Sequence, residues 1–121
     1  MENKQEDKKF ISIDDFKQLE IKIGHVVSAE SIPDSEKLLK LSVDMGEENP
    51  RQVISGIAKY FSNPNDLVGK KCAFAANLEP RKIMGMESEA MILAVSGGEG
   101  ENEFFSLLTV NEKVSPGSQI K

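Results

Sequence analysis

The chain has 121 residues, 39% of them hydrophobic and 29% charged, and a formal net charge of −5. That length holds one domain with a modest core, and no apolar run approaches the ~20 residues of a membrane-spanning helix. The charged start, Met1 to Lys9, lacks the apolar stretch of a secretory signal, and the lone Cys72 rules out an internal disulfide and suits a reducing, cytoplasmic setting.

Residues 1–10 are polar and read as a tail or linker, which leaves residues 11–121 as the domain. Ser12 to Phe16 reads as a short helix: Ser12 can cap it, and Asp14 and Asp15 favour the positive end of its dipole. Phe16 and Leu19 are spaced to share a buried face. Ile21 to Val27 is β-rich, and the glycine inside it, Gly24, signals a bulge or bend. Leu39 to Met45 alternates apolar and polar, as a half-buried strand does. Gly46 to Pro50 then supplies a turn, and Arg51 to Ser55 returns as the second arm of a hairpin.

Short helical pieces are expected around the Asn63-Pro64 break, with Tyr60 and Phe61 packed beneath them. Cys72 to Ala76 reads as an apolar strand and Ala90 to Val95 as one continuous buried or interface strand. Gly97, Gly98 and Gly100 form a loop before a last strand, Phe104 to Val110. Strands outnumber helices and turns recur at short spacing, which points to a small all-β barrel or sandwich.

The charge is unevenly spread. Residues 37–82 carry eight basic and five acidic groups, whereas residues 1–36 carry five and nine, and residues 83–121 two and six. A basic middle in an acidic chain leaves room for a polyanion. Catalytic chemistry finds no support: one His and one Cys cannot complete a usual zinc set, and His25 reads as a packing or surface residue. Gly69-Lys70-Lys71 lacks the rest of a phosphate loop, and Gly97-Gly98-Glu99-Gly100 opens no helix. No nucleophile, base and orienting group stand together. No enzyme, cofactor or metal is expected.

Three segments resemble one family, the tRNA-binding OB domain: Pro33 to Gly46, Arg51 to Phe61, and Val68 to Lys71 followed by Asn77 to Ala94. Asp15-Phe16 and Ile21-Lys22-Ile23-Gly24 match the family's opening, so the likeness covers about residues 14–120. Where the family reads His-Pro-Asn-Ala-Asp-Lys-Leu, this chain has Ile32-Pro33-Asp34-Ser35-Glu36-Lys37-Leu38, and Ala90 stands where a glycine is usual.

The resemblance implies a five-stranded OB barrel with a short helix between strands 3 and 4 and a short N-terminal helix. It also implies recognition of tRNA by shape, as a free-standing dimer or as the appended domain of methionyl-tRNA synthetase. Shape recognition suits RNA duplexes, whose deep major groove hides the base edges. Lys37, Arg51, Arg81 and Lys82 are the cationic contact candidates, with Lys59 a weaker one, and Asn77 and Ser88 are the neutral ones. The implied homodimer would take its interface from residues 90–95 and the C-terminal strands. A peptide-binding, chaperone-like relative of the same fold, linked to protein export, is the alternative reading.

Overall fold

Leu39, Leu41 and Val43 are buried while Lys40, Ser42 and Asp44 lie between them half-buried, so the strict alternation of this stretch becomes strand β2 (Leu39–Asp44). It pairs antiparallel with β1 (Ile21–Ser31) and with β3 (Arg51–Ser55). The other edge of β1 carries β4 (Lys71–Ala75), and β4 carries the short β7 (Met91–Ile92). The order β3-β2-β1-β4-β7 makes one five-stranded antiparallel sheet in this computed structural model, which describes residues 9–121. Most of the residues read as a tail, 1–8, lie outside the described residues.

The sheet curls until its edges meet. Glu89 N–H donates to the Gln52 carbonyl (2.8 Å), and Ile54 N–H donates to Ser88 Oγ (3.0 Å), which joins β3 to the chain leading into β7. The product is a nearly closed OB-type barrel around Val26, Leu39, Leu41, Val43, Val53, Leu67 and Phe74. Two strands, β5 (Arg81–Ile83) and β6 (Met86–Ser88), form a separate hairpin, and β8 (Ala94–Gly97) with β9 (Phe104–Leu107) forms another.

Several expectations need correction. Gly24 is not the bulge: the register of β1 on β2 slips between Val26 and Ser28. Gly24 is there because a Cβ would lie 2.5 Å from Val43 Cγ1, 2.7 Å from Met45 Sδ and 2.8 Å from Phe74 Cε1. The run from Ala90 to Val95 is not one strand. Beyond Leu93, whose N–H donates to the Ala73 carbonyl (3.0 Å), the edge of β4 is already taken. Ala73 N–H donates to Leu108 (2.9 Å) and Val110 N–H to Lys71 (3.1 Å), so the chain departs to pair with β9.

Between β3 and β4 stand two short 3-10 turns, Ala58–Tyr60 and Pro64–Leu67, in place of an α-helix. Pro64 fits the first turn of a helix but not its interior, and Asn63 caps it by accepting from Asn65 N–H (3.0 Å). Tyr60 and Phe61 pack on β9: the Tyr60 and Phe105 rings stack at 4.0 Å, and Phe61 meets Phe105 edge-on.

The N-terminal helix α1 (Ile13–Lys17) forms with Ser12 Oγ accepting from Asp15 N–H (3.0 Å). It buries no residue, however, and Phe16 stays 36% exposed instead of sharing a buried face with Leu19. Cys72 is fully buried in the core, and burial pushes its thiol up to about 11, as desolvation disfavours the thiolate.

Candidate nucleic-acid interface

The stretch after Asn77 folds as the β5–β6 hairpin. Its two central residues, Met84 (φ 52°) and Gly85 (φ 80°), both take the positive φ that the tight primed hairpin turn requires. Arg81 faces Ser88, Lys82 faces Glu87, and Ile83 faces Met86. Side chains alternate along a strand, so Arg81, Ile83, Met86 and Ser88 share one face, and Lys82 and Glu87 the other. Ser88 marks the first face as the inner one, because it is only 7% exposed. Arg81 borders a cavity of about 50 Å³ with Ile54, Leu78, Ile83 and Met91, while Lys82 points outward and is exposed.

Gln52 holds the hairpin on the barrel: its Nε2 donates to the Glu87 carbonyl (2.9 Å), and its N–H donates to Glu89 Oε1 (2.8 Å). Glu89 lies beside Gln52 and Ser88 beside Ile54, so the segment runs antiparallel to β3. The hairpin tip therefore leads toward the C-terminal end of β3. Lys37 is at that end, since Leu39 pairs with Ser55 and the Lys37 carbonyl accepts from Ala58 N–H (3.1 Å). Ser35 Oγ accepts from Lys37 N–H (3.2 Å) and Leu38 N–H (3.1 Å), which fixes the loop while the Lys37 side chain stays exposed.

The other candidates have different occupations. Arg51 is half-buried at the opposite end of β3, about 13 Å away at the rise of a strand. Its guanidinium grips Glu47 through Nε–Oε1 (2.9 Å) and Nη2–Oε2 (2.6 Å), and Nη1 donates to the carbonyls of Ala76 (2.5 Å) and Glu89 (3.2 Å). Arg51 thus ties the β2–β3 turn, the end of β4 and the approach to β7 together. The same contact holds the Glu47 carboxyl below its ordinary range and raises Arg51.

Asn77 is a clamp as well. Its Oδ1 accepts from Glu20 N–H (2.8 Å) and its Nδ2 donates to the Gln18 carbonyl (2.6 Å), which anchors the segment joining α1 to β1. Ser88 Oγ serves Ile54 N–H and reaches the Ala90 carbonyl (3.1 Å), so it closes the barrel from a buried position. Lys59 pairs with Glu103 (3.0 Å), which raises its pKa, and lies 5.2 Å from the Tyr60 ring centre.

The candidates are therefore two groups. Lys37, Arg81 and Lys82 are exposed and make no ion pair within the described residues, and they occupy the hairpin and the loop its tip approaches. Arg51, Asn77 and Ser88 spend their polar atoms inside the fold. Sequence reading missed Gln52, Glu47 and Glu89, which position these groups. The sequence signal for the hairpin was weak, since Met84-Gly85 lacks the Asn or Asp that usually opens such a turn.

A five-stranded OB-type barrel with an exposed arginine and lysine on the hairpin held against β3 is the architecture of a small binding module. The chain belongs to the family described as "Putative tRNA binding domain", whose model matches residues 21–119. It is 48% identical over 120 residues to the methionine–tRNA ligase of Methanoregula boonei, covering 99% of this chain and 17% of that protein. It is 45% identical over 126 residues to the methionine–tRNA ligase of Methanocaldococcus jannaschii, covering 99% of this chain and 19% of the relative. The chain thus spans less than a fifth of the length of these relatives. Among solved structures, the MetRS related protein from Pyrococcus horikoshii has TM-score 0.82 and 35% identity, over 94% of this chain and 100% of the other. The chaperone CsaA from Bacillus anthracis has TM-score 0.74 and 31% identity, over 93% and 100%. This chain is a binding domain and carries no catalytic role of its own.

Proposed function

We propose that the chain binds folded tRNA by shape, through phosphate contacts from Lys82 and Arg81 on the hairpin and Lys37 on the neighbouring loop. The carrying observation is that these three cations are exposed and make no ion pair among the described residues, on the hairpin and the loop its tip approaches, whereas Arg51, Asn77 and Ser88 are consumed by the fold. The negative net charge works against the basic patch at long range, so binding is moderate and steeply salt-dependent.

The chain acts in the cytoplasm, either appended to methionyl-tRNA synthetase or as a separate protein. Similarity to one segment of methionine–tRNA ligases supports the first form, and the full coverage of the Pyrococcus horikoshii chain supports the second. It works as a homodimer; within residues 90–95, Ala90 and Ile92 belong to its own core while Met91, Ala94 and Val95 stay exposed. The better seam is the uncovered N-terminal face, where Phe10 (95% exposed), Ile11 and Ile13 stand beside a groove of about 430 Å³ lined by Phe16, Leu19 and Ile120. Ile13→Asp is expected to yield a monomer by light scattering, and a dimer that persists would dismiss this seam.

The test of tRNA binding is filter retention across a salt series for wild type and Lys82→Ala. The variant is expected to bind about fivefold more weakly, with a log–log salt slope shallower by about 1. An unchanged slope removes Lys82 from the contact set. The likeness to CsaA favours a second reading, capture of unfolded peptides. Unfolded peptide outcompeting tRNA for the protein would favour it.

A further inference from the structure

Past Lys37 lies a recess that tRNA shape recognition leaves unused. Its wall is the aromatic cluster: Tyr60 stacked on Phe105 with the rings 8° from parallel, and Phe61 edge-on at 5.8 Å. Lys70 and Thr109 complete a hollow of about 360 Å³. A second hollow of about 220 Å³ adjoins it through the same Lys70 and Thr109 and ends at Glu112. The first falls in the size range of small-ligand sites.

The chemistry of the first hollow is one-sided. The Thr109 hydroxyl and the Lys70 ammonium make no hydrogen bond among the described residues, the Tyr60 side chain is engaged by Lys59, and no carboxylate lines this space. Glu103 is held by Lys59, and Glu112 lines only the adjoining hollow. Lys71 is not available, because its Nζ donates to the carbonyls of Glu112 (2.9 Å) and Val114 (2.7 Å). Ring edges set among hydroxyl donors and one cation suit a planar ring that carries an anion.

We propose that this hollow takes an unpaired nucleotide of the bound RNA, its base against the Tyr60, Phe61 and Phe105 wall and its phosphate on Lys70. The inference rests on the RNA-binding reading and extends it to a single-stranded part of the molecule. A duplex keeps its bases stacked and offers no ring face, whereas an unpaired base can be laid against an aromatic side chain without regard to its sequence. The hollow also continues the cationic surface. Ala58 N–H is bound by the Lys37 carbonyl, so the turn bearing Lys59 and Tyr60 is fixed to the Lys37 loop.

Tyr60 is the only tyrosine and the chain has no tryptophan, so tyrosine emission reports on one ring of the wall. The probes are tRNA, a five-residue single-stranded RNA, and adenosine 5′-monophosphate. Saturable quenching by tRNA and by the short RNA is expected. Lys70→Glu, an exposed change, should weaken the short RNA about tenfold, while Lys82→Ala leaves its quenching intact. tRNA retained on filters with unchanged Tyr60 emission overturns the proposal, and so does quenching by the mononucleotide alone. Quenching by the short RNA in a protein that retains no tRNA keeps the nucleotide site and removes the tRNA reading.

Discussion

The two ends of β3 use similar residues for opposite purposes. At its start, Arg51 and the nearby Asn77 bond to backbone carbonyls and N–H groups from three segments. At its end, Lys37 and the hairpin that carries Arg81 and Lys82 leave their charges in solvent. A family motif places all of these residues on the same footing. The fold separates them into groups that hold the barrel shut and groups that can meet a ligand. A charged residue half-buried beside carbonyls has its donors satisfied and is costly to withdraw, whereas an exposed lysine loses little by turning to a phosphate.

The contrast breaks most sharply on Arg51. Arg51→Ala removes four hydrogen bonds from a half-buried site and is expected to cost about 3 kcal/mol of stability, read by urea unfolding. If stability holds and only tRNA affinity falls, Arg51 belongs with the contacts after all. Ser88→Ala leaves Ile54 N–H without its partner inside the barrel and should cost about 2 kcal/mol by the same measurement. Folded Ser88→Ala protein should keep its tRNA affinity.

The opposite end should respond in the opposite way. Combining Lys37→Ala with Lys82→Ala is expected to shift stability by less than about 0.5 kcal/mol. Its tRNA affinity should nonetheless fall more than in either single variant, as seen by filter retention. Equal affinity in the single and double variants would place Lys37 outside the interface.

The smallest effect is on pH. Glu47 has its folded-state pKa lowered, chiefly by the hydrogen bond from Arg51. Its contribution to stability is therefore present above the ordinary carboxylate pKa and fades as pH falls through the lowered one. Glu47 is partly exposed, so solvent screens the pair and the change is modest. Glu47→Gln should flatten the acid side of the stability profile, and an unaltered profile would mean that the ion pair contributes nothing.

Much of the barrel was legible beforehand for a local reason. The alternation of β2, the return of β3 and the apolar β4 each follow from side chains that point to opposite faces of a strand. What failed was non-local. Nothing between Ala90 and Val95 announces that the edge of β4 is occupied by Leu108 to Val110, so the break after Leu93 was invisible. Gly24 looked like a bulge because the side chains that crowd it, Val43, Met45 and Phe74, are distant in sequence. The helix α1 was placed by its cap, but whether its apolar side is covered depends on what lies against it.

The sequence by itself determined a small β-barrel, the membership of the chain in a tRNA-binding family and the set of polar residues worth testing. Only the tertiary structure decided which of those residues are free, because hydrogen-bond occupancy is a property of neighbours brought together from far along the chain. Lys82 and Asn77 are five residues apart, yet one stands on the outer face of a hairpin and the other locks the start of β1 to the end of β4.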